Sequence, residues 1–237
     1  PAHAPLGAHP PNRFREVVAP IAQGPADTLP GQSAAGDCAC VPVQGGTRLG
    51  GNSLLDIIVF GRAAGNRIIE YLRENRYHRP LPDTCLEPAL QRLARWEQQG
   101  DGESVAGLRG DLTRAMEEHC GVFRTRDVLD AGVDTVQALQ PRLRDARLSD
   151  HSRIFNTARI EALELENLMD VAVATIMSAR QREESRGAHS RVDFPERDDV
   201  NWLRHSLYHR HSNNIDYKPV RMKPLTVEAF PPKARTY

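Results

Sequence analysis

Arg48 stands two residues ahead of the glycine pair Gly50 and Gly51, which is followed by Asn52, Ser53 and an almost unbroken apolar run from Leu54 to Ala64. Glycines there let the backbone approach a ligand with no Cβ in the way. Asn52 or Ser53 is the expected cap of a helix whose first N–H groups lack intrahelical partners. A helix N-terminus disfavours a cation and favours an anion, so an arginine beside it makes sense if both share one anionic ligand. Arginine holds a carboxylate through two parallel hydrogen bonds, as lysine cannot. A solvated arginine beside a glycine turn is the alternative that spacing alone leaves open.

The elements that must position these residues follow from periodicity. Residues 1–30 are rich in Pro, Ala and Gly and read as loops and a hairpin, with a short extended piece over Glu16–Ala19. The apolar run after Ser53 predicts a helix buried on most sides, and a second amphipathic stretch covers Asn66–Arg76. The breaker Arg79-Pro-Leu-Pro82 then marks the best domain boundary. Cys85–Arg182 reads as helical throughout, with helices over Val105–Cys120, Arg126–Arg147 and Ile154–Arg180. Leu129, Val133, Val136 and Leu143 share one face of the second, and Ala158, Leu165, Leu168, Ala172 and Ile176 one face of the third. Short polar links between them argue an antiparallel bundle. Glu161, Glu164 and Glu166 read as a solvated face, and Met169 and Met177 as core. Beyond Glu183 the prolines forbid long helices, and Val200–Tyr208 with Asp216–Met222 predict a small hairpin. The expected class is α+β: an N-terminal part of loops, hairpin and helix (1–80), an antiparallel helical bundle (81–182) and a C-terminal β-containing segment (183–237).

Composition narrows the partners. The 237 residues carry 31 basic and 31 acidic side chains, so nothing suggests a nucleic-acid footprint. No apolar run approaches the roughly 20 residues of a membrane-spanning helix, and no signal peptide is visible. Cys38, Cys40, Cys85 and Cys120 read as ordinary core thiols, since Cys38-Ala-Cys40 has the wrong spacing for a zinc knuckle. His205, His209 and His211 are dense enough to raise a metal site, but they lack paired thiols or a Glu and read as an exposed, solvated cluster. Pro1 in place of Met leads to the expectation that the chain starts inside a longer product or was processed.

Arg48-Leu-Gly-Gly-Asn-Ser-Leu-Leu-Asp56 with Val59-Phe-Gly-Arg-Ala-Ala64 resembles the flavoprotein subunit of succinate dehydrogenase and fumarate reductase. Glu184-Ser-Arg-Gly-Ala-His-Ser-Arg191, Asp193-Phe-Pro-Glu-Arg-Asp-Asp199 and Asn201-Trp202 are similar to the same family, part of which L-aspartate oxidase shares. The ending Pro231-Pro-Lys-Ala-Arg-Thr-Tyr237 resembles the succinate dehydrogenase branch. The resemblance implies flavin adenine dinucleotide (FAD) as cofactor, contacted by Asp37, Gly51, Asn52, Ser53 and Leu54. It implies succinate or fumarate as substrate, bound by Arg48 and His3. No catalytic base falls in this chain on that reading, because the proton-transferring arginine, the flavin-linking histidine and the G-x-G-x-x-G fingerprint lie upstream of Pro1.

The implied activity is oxidation of succinate to fumarate by hydride transfer to FAD, with electrons passed to an iron–sulfur subunit and quinone. The implied location is peripheral, beside membrane anchor subunits on the cytoplasmic face of a bacterial inner membrane or the mitochondrial matrix side. Three alternatives stay open. One is a related flavin enzyme, fumarate reductase or L-aspartate oxidase. Another is a degenerate copy, since Asp37 stands where the family has Glu, and Gln44-Gly-Gly-Thr47 and His3-Ala-Pro-Leu-Gly-Ala8 depart from its pattern. The last is a non-enzymatic helical interaction module formed by Cys85–Arg182.

Overall fold

The computed structural model describes residues 12, 15–19, 27–40, 50–77, 80–98, 100–223 and 226–231. A short hairpin opens it: β1 (Glu16–Val18) pairs antiparallel with β2 (Thr28–Ser33). A 3₁₀ turn over Gly36–Cys38 follows, and then the 25-residue helix α1 (Gly50–Glu74). Gly36 adopts φ +77°, and a Cβ there would lie 3.0 Å from Ile57 Cγ2, so the turn packs directly on α1. The hairpin is pinned to the same helix by two ion pairs. Arg15 Nη2 donates to Asp56 Oδ1 at 2.8 Å with both side chains buried, and Arg67 Nε donates to Glu16 Oε1 at 2.8 Å.

Five α-helices are found among the described residues. The other four are α2 (Glu87–Glu97), α3 (Val105–His119), α4 (Arg126–Asp145) and α5 (Thr157–Gln181). Their starts are chemically marked. Pro88 occupies the first turn of α2, where its missing N–H costs nothing. Ser104, Thr125 and Asn156 cap α3, α4 and α5 by accepting from the N–H groups of Gly107, Val128 and Arg159. The two-residue strands β3 (Glu103–Ser104) and β4 (Ala146–Arg147) pair in parallel, joining the start of α3 to the end of α4.

Helices α3, α4 and α5 pack mutually around one core of Leu108, Leu112, Leu129, Val136, Leu165 and Ile176, which Trp96 of α2 joins. Each such side chain contributes about 1.5–3 kcal/mol by leaving water. The hairpin of β5 (Arg204–His209) and β6 (Asn214–Pro219) lies against α5, its register running from Arg204 opposite Pro219 to His209 opposite Asn214. The α+β class, the bundle, the C-terminal hairpin and core positions for Met169 and Met177 agree with the sequence reading.

Several expectations are corrected. The stretch Asn66–Arg76 is no separate element, because α1 runs unbroken through Gly61 and Gly65. The helix is not buried on most sides: Leu54, Leu55 and Ile58 are 61%, 62% and 67% exposed, since the described hairpin covers only the face carrying Asp56 and Ala64. Leu168 is exposed, lying beyond the stripe that faces α3 and α4. Glu166 is no solvated charge, as it accepts from Arg92, Arg95 and Trp96. Cys38 and Cys85 are exposed thiols, whereas Cys120 is in the core. No helix among the described residues is long and apolar enough to cross a membrane.

Gly132 on α4 marks a close approach of three helices. A Cβ there would stand 2.4 Å from His119 Cβ and 2.6 Å from Ile176 Cδ1, so α3 and α5 both press on this position. Gly132→Ala gains about 1 kcal/mol of helix propensity, but overpacking of about 1–3 kcal/mol outweighs it. The variant is expected to unfold at lower urea concentration than the parent; an unchanged or raised midpoint would show that the three helices separate freely there.

Candidate functional site

Helix α1 begins at Gly50, so Asn52 and Ser53 lie inside its first turn and not at its cap. Gly51 faces open space, where an added Cβ would meet nothing within 4 Å. Gly51, Asn52 and Leu54 are exposed and Ser53 is half-buried, which leaves the positive end of the helix dipole accessible. The 3₁₀ turn that carries the backbone of Asp37 packs on Ile57, one turn further along the same helix. The structure therefore brings the Asp37 segment and the Gly51–Leu54 turn onto one body. Arg48 and His3 lie outside the described residues.

Asp56 closes the Arg48–Asp56 motif, and the sequence reading gave it no role. In the structure it is the buried anchor of this body. Arg15 reaches it from the start of the hairpin with its guanidinium 3.6 Å from the centre of the Phe60 ring. The signal was present, since Asp56 is the one acidic residue in the Leu54–Ala64 run.

The second motif turns out to be architectural. Glu184, fully buried, accepts from Arg182 Nη1 at 2.6 Å, from Arg186 Nε and Nη2 at 2.8 and 2.9 Å, and from the N–H of Asp198 at 3.0 Å. Burial alone would raise its carboxyl; the donors of Arg186, Asp198 and Arg182 together hold it below the usual range. Arg191 is 1% exposed. It grips both oxygens of Asp193 at 2.8 and 2.7 Å and donates to the carbonyls of Ala179, Arg180 and Arg182 at the end of α5. Asp193 also accepts from the N–H of Arg126, the first residue of α4. Hydrogen bonding to Arg191 chiefly lowers the Asp193 carboxyl to about 2.

His189 sits inside this clamp. Nδ1 accepts from Arg124 Nη1 at 2.8 Å while Nε2–H donates to the Arg182 carbonyl at 3.1 Å, a pattern that needs the neutral ring. Burial first, then the surrounding arginines, push it down to about 4. Arg182 extends the network to the hairpin through the carbonyls of Trp202 and Arg204 and the Ser206 hydroxyl.

The histidine cluster is rearranged relative to the sequence reading. His205 and His209 are half-buried in β5, and only His211 is exposed. His209 Nε2 lies 3.1 Å from Asp216 Oδ2 across the hairpin. Among the described residues no group of three or more His, Cys, Asp or Glu is arranged to hold a metal ion.

The clamp has an acid signature. Between about pH 6.5 and about 4 an unfolded chain protonates His189 and the folded one does not, so stability falls as pH falls through that window. Asp193 stays ionised throughout it and fails only below 3.8, towards about 2. Melting temperature is expected to drop from pH 6.5 to 4.5, and His189→Gln, though less stable at neutral pH, is expected to show a shallower drop. Parallel pH profiles for the two proteins would exclude this role.

Comparison with known proteins accords with these motifs. A family model described as fumarate reductase flavoprotein C-term matches residues 109–237. The succinate dehydrogenase flavoprotein subunit of Coxiella burnetii is 48% identical over 98% of this chain and 40% of its own length. The fumarate reductase flavoprotein subunit of Mycobacterium tuberculosis is 39% identical over 90% of this chain and 37% of its own. A solved chain of E. coli quinol fumarate reductase superposes with a TM-score of 0.72 at 35% identity, covering 84% of this chain and 35% of that one. The present chain thus spans about two fifths of the length of the curated relatives it matches. By the family model over residues 109–237 and the identity to these relatives across nearly its whole length, the chain belongs to the family of succinate dehydrogenase and fumarate reductase flavoprotein subunits, whose C-terminal region it matches.

Proposed function

We propose that this chain is the C-terminal part of a succinate dehydrogenase flavoprotein subunit, in which it completes one side of the FAD and succinate site. The observation that carries the proposal is the first turn of α1: exposed, open at Gly51, and packed through Ile57 against the turn bearing Asp37. A helix N-terminus accessible in this way fits the edge of a flavin on which negative charge develops, and the exposed Leu54 fits an aromatic ring system. Gly51, Asn52, Ser53, Leu54 and Asp37 are the residues that would hold FAD. When bound, FAD supplies the redox chemistry by accepting a hydride from succinate.

The chain's own residues bind and orient. Arg48 neutralises one substrate carboxylate through a planar, two-pronged contact, and His3 donates to a carboxylate as well. These two roles rest on the Arg48–Asp56 motif and the family register. The exposed face of α1 suits burial against the remaining part of a longer subunit. The Pro231–Tyr237 ending favours succinate oxidation over fumarate reduction. Electrons then leave through an iron–sulfur subunit to quinone, with anchor subunits holding the complex peripherally at the cytoplasmic face of a bacterial inner membrane or the mitochondrial matrix side. Within the chain we assign residues 1–80, 81–182 and 183–237 to the flavin-binding part, the bundle and the C-terminal segment.

Two experiments test this. In the complete subunit, Arg48→Lys is expected to retain flavin but lose most succinate-dependent dye reduction, because charge is kept and bidentate geometry is not; wild-type turnover would refute the assignment of Arg48. The 237-residue chain by itself lacks the glycine fingerprint that cradles a dinucleotide pyrophosphate. Mixed with FAD, it is expected to show no flavin absorbance after desalting and no dye reduction, whereas a stable yellow, active chain would overturn the division of the site.

A further inference from the structure

An open cleft of about 390 Å³ lies between α2, α4 and α5, on the bundle and away from the α1 turn. Four arginines line it, Arg92 and Arg95 from α2, Arg144 from α4 and Arg210 from the turn after β5, against two carboxylates, Glu166 and Asp170 of α5. The negative charge is already committed. Glu166 is 17% exposed and both of its oxygens are engaged, one by Arg92 and the other by Arg95 and by Trp96 Nε1 at 3.0 Å. Arg92 further donates to Asn167 Oδ1 at 2.9 Å and to the Leu163 carbonyl at 2.8 Å.

The positive charge is not used up in the same way. Asp170 engages one nitrogen of Arg210, at 2.9 Å, leaving the rest of a guanidinium whose side chain is 70% exposed. Arg144, exposed in the last turn of α4, makes no side-chain hydrogen bond or ion pair among the described residues. A concave site with four guanidinium groups set against two carboxylates, each already paired with arginine, is complementary to a ligand that brings acceptors and negative charge.

We infer that this cleft binds a small polyvalent oxyanion, a polycarboxylate or a phosphate, through Arg144 and Arg210, with the Arg92–Glu166–Arg95 cluster as its rigid floor. Planar guanidinium groups match either anion. The cleft accommodates a small molecule, and the inference does not depend on the flavin assignment.

Calorimetric titration of the 237-residue chain with citrate and with inorganic phosphate, each against sodium chloride at matched ionic strength, tests it. Saturable heat is expected for at least one anion, citrate alone indicating a carboxylate site and phosphate alone a phosphate site. Arg144→Gln combined with Arg210→Gln is expected to weaken it by about tenfold or more while the circular dichroism spectrum stays unchanged. Arg144→Gln alone breaks no ion pair, and is expected to weaken binding without altering the melt. Heat matching that of chloride, or an affinity unchanged in these variants, would overturn the inference.

Discussion

The ion pair between Arg191 and Asp193 holds two helix ends of opposite sign together. The guanidinium meets the last carbonyls of α5, where the helix dipole is negative, and the carboxylate meets the first N–H of α4, where it is positive. A buried arginine is costly unless its donors are satisfied, and here a carboxylate and three carbonyls satisfy them. The relative placement of α4 and α5 then follows, and with it the surface on which α3 packs. Glu184, Arg186 and His189 extend the same logic along the chain that wraps the bundle, and Arg182 carries it into the β5–β6 hairpin.

The α1 body is built on the opposite principle. The described contacts on it are few, chiefly the Arg15–Asp56 and Arg67–Glu16 pairs and the 3₁₀ turn on Ile57. Arg15 is held at φ +68°, a conformation that costs on the order of 1–3 kcal/mol in a non-glycine residue and persists where its surroundings demand it. Meanwhile Leu54, Leu55, Ile57, Ile58 and Val59 stand exposed along the helix. At about 1.5–3 kcal/mol for each large side chain, that face withholds burial energy comparable with the stability of a whole domain. The bundle buries its own core, and the relatives are longer than this chain; under the proposed function the rest of such a subunit would cover this face of α1.

Within the bundle, residues of one type diverge according to what faces them. Glu161 and Glu164 are exposed, yet Glu166 two residues on is the node that ties α2 to α5. The histidines divide likewise. His189 is kept neutral because it must accept from one arginine while donating to a carbonyl, and His211 is simply solvated. Charge balance in the sequence gives no hint of either distinction, because it sums what the fold separates.

Much of the fold was nevertheless legible. Helical spacing alone placed Leu129, Val133, Val136 and Leu143 on one buried face, because a 3.6-residue period leaves a single way to bury them. Prolines after Glu183 and the strand-like stretches Val200–Tyr208 and Asp216–Met222 were enough to indicate the hairpin, whereas the glycines and sudden apolarity after Arg48 marked a helix start and left its ligand to the family resemblance. Helix continuity through Gly61 and Gly65 was not legible, since glycine propensity argues for a break that the tertiary context overrides. The clamp was visible only as a signature, not as a mechanism. Its partners are separated by 67 residues for Arg126 and Asp193, and by 65 for Arg124 and His189. Sequence determines which side chains want water excluded and where a helix begins. Which charge meets which, and therefore which are buried, neutral or free to bind, is settled only when distant segments are brought within hydrogen-bonding distance, because electrostatic and hydrogen-bond energies depend on separation in space and not along the chain.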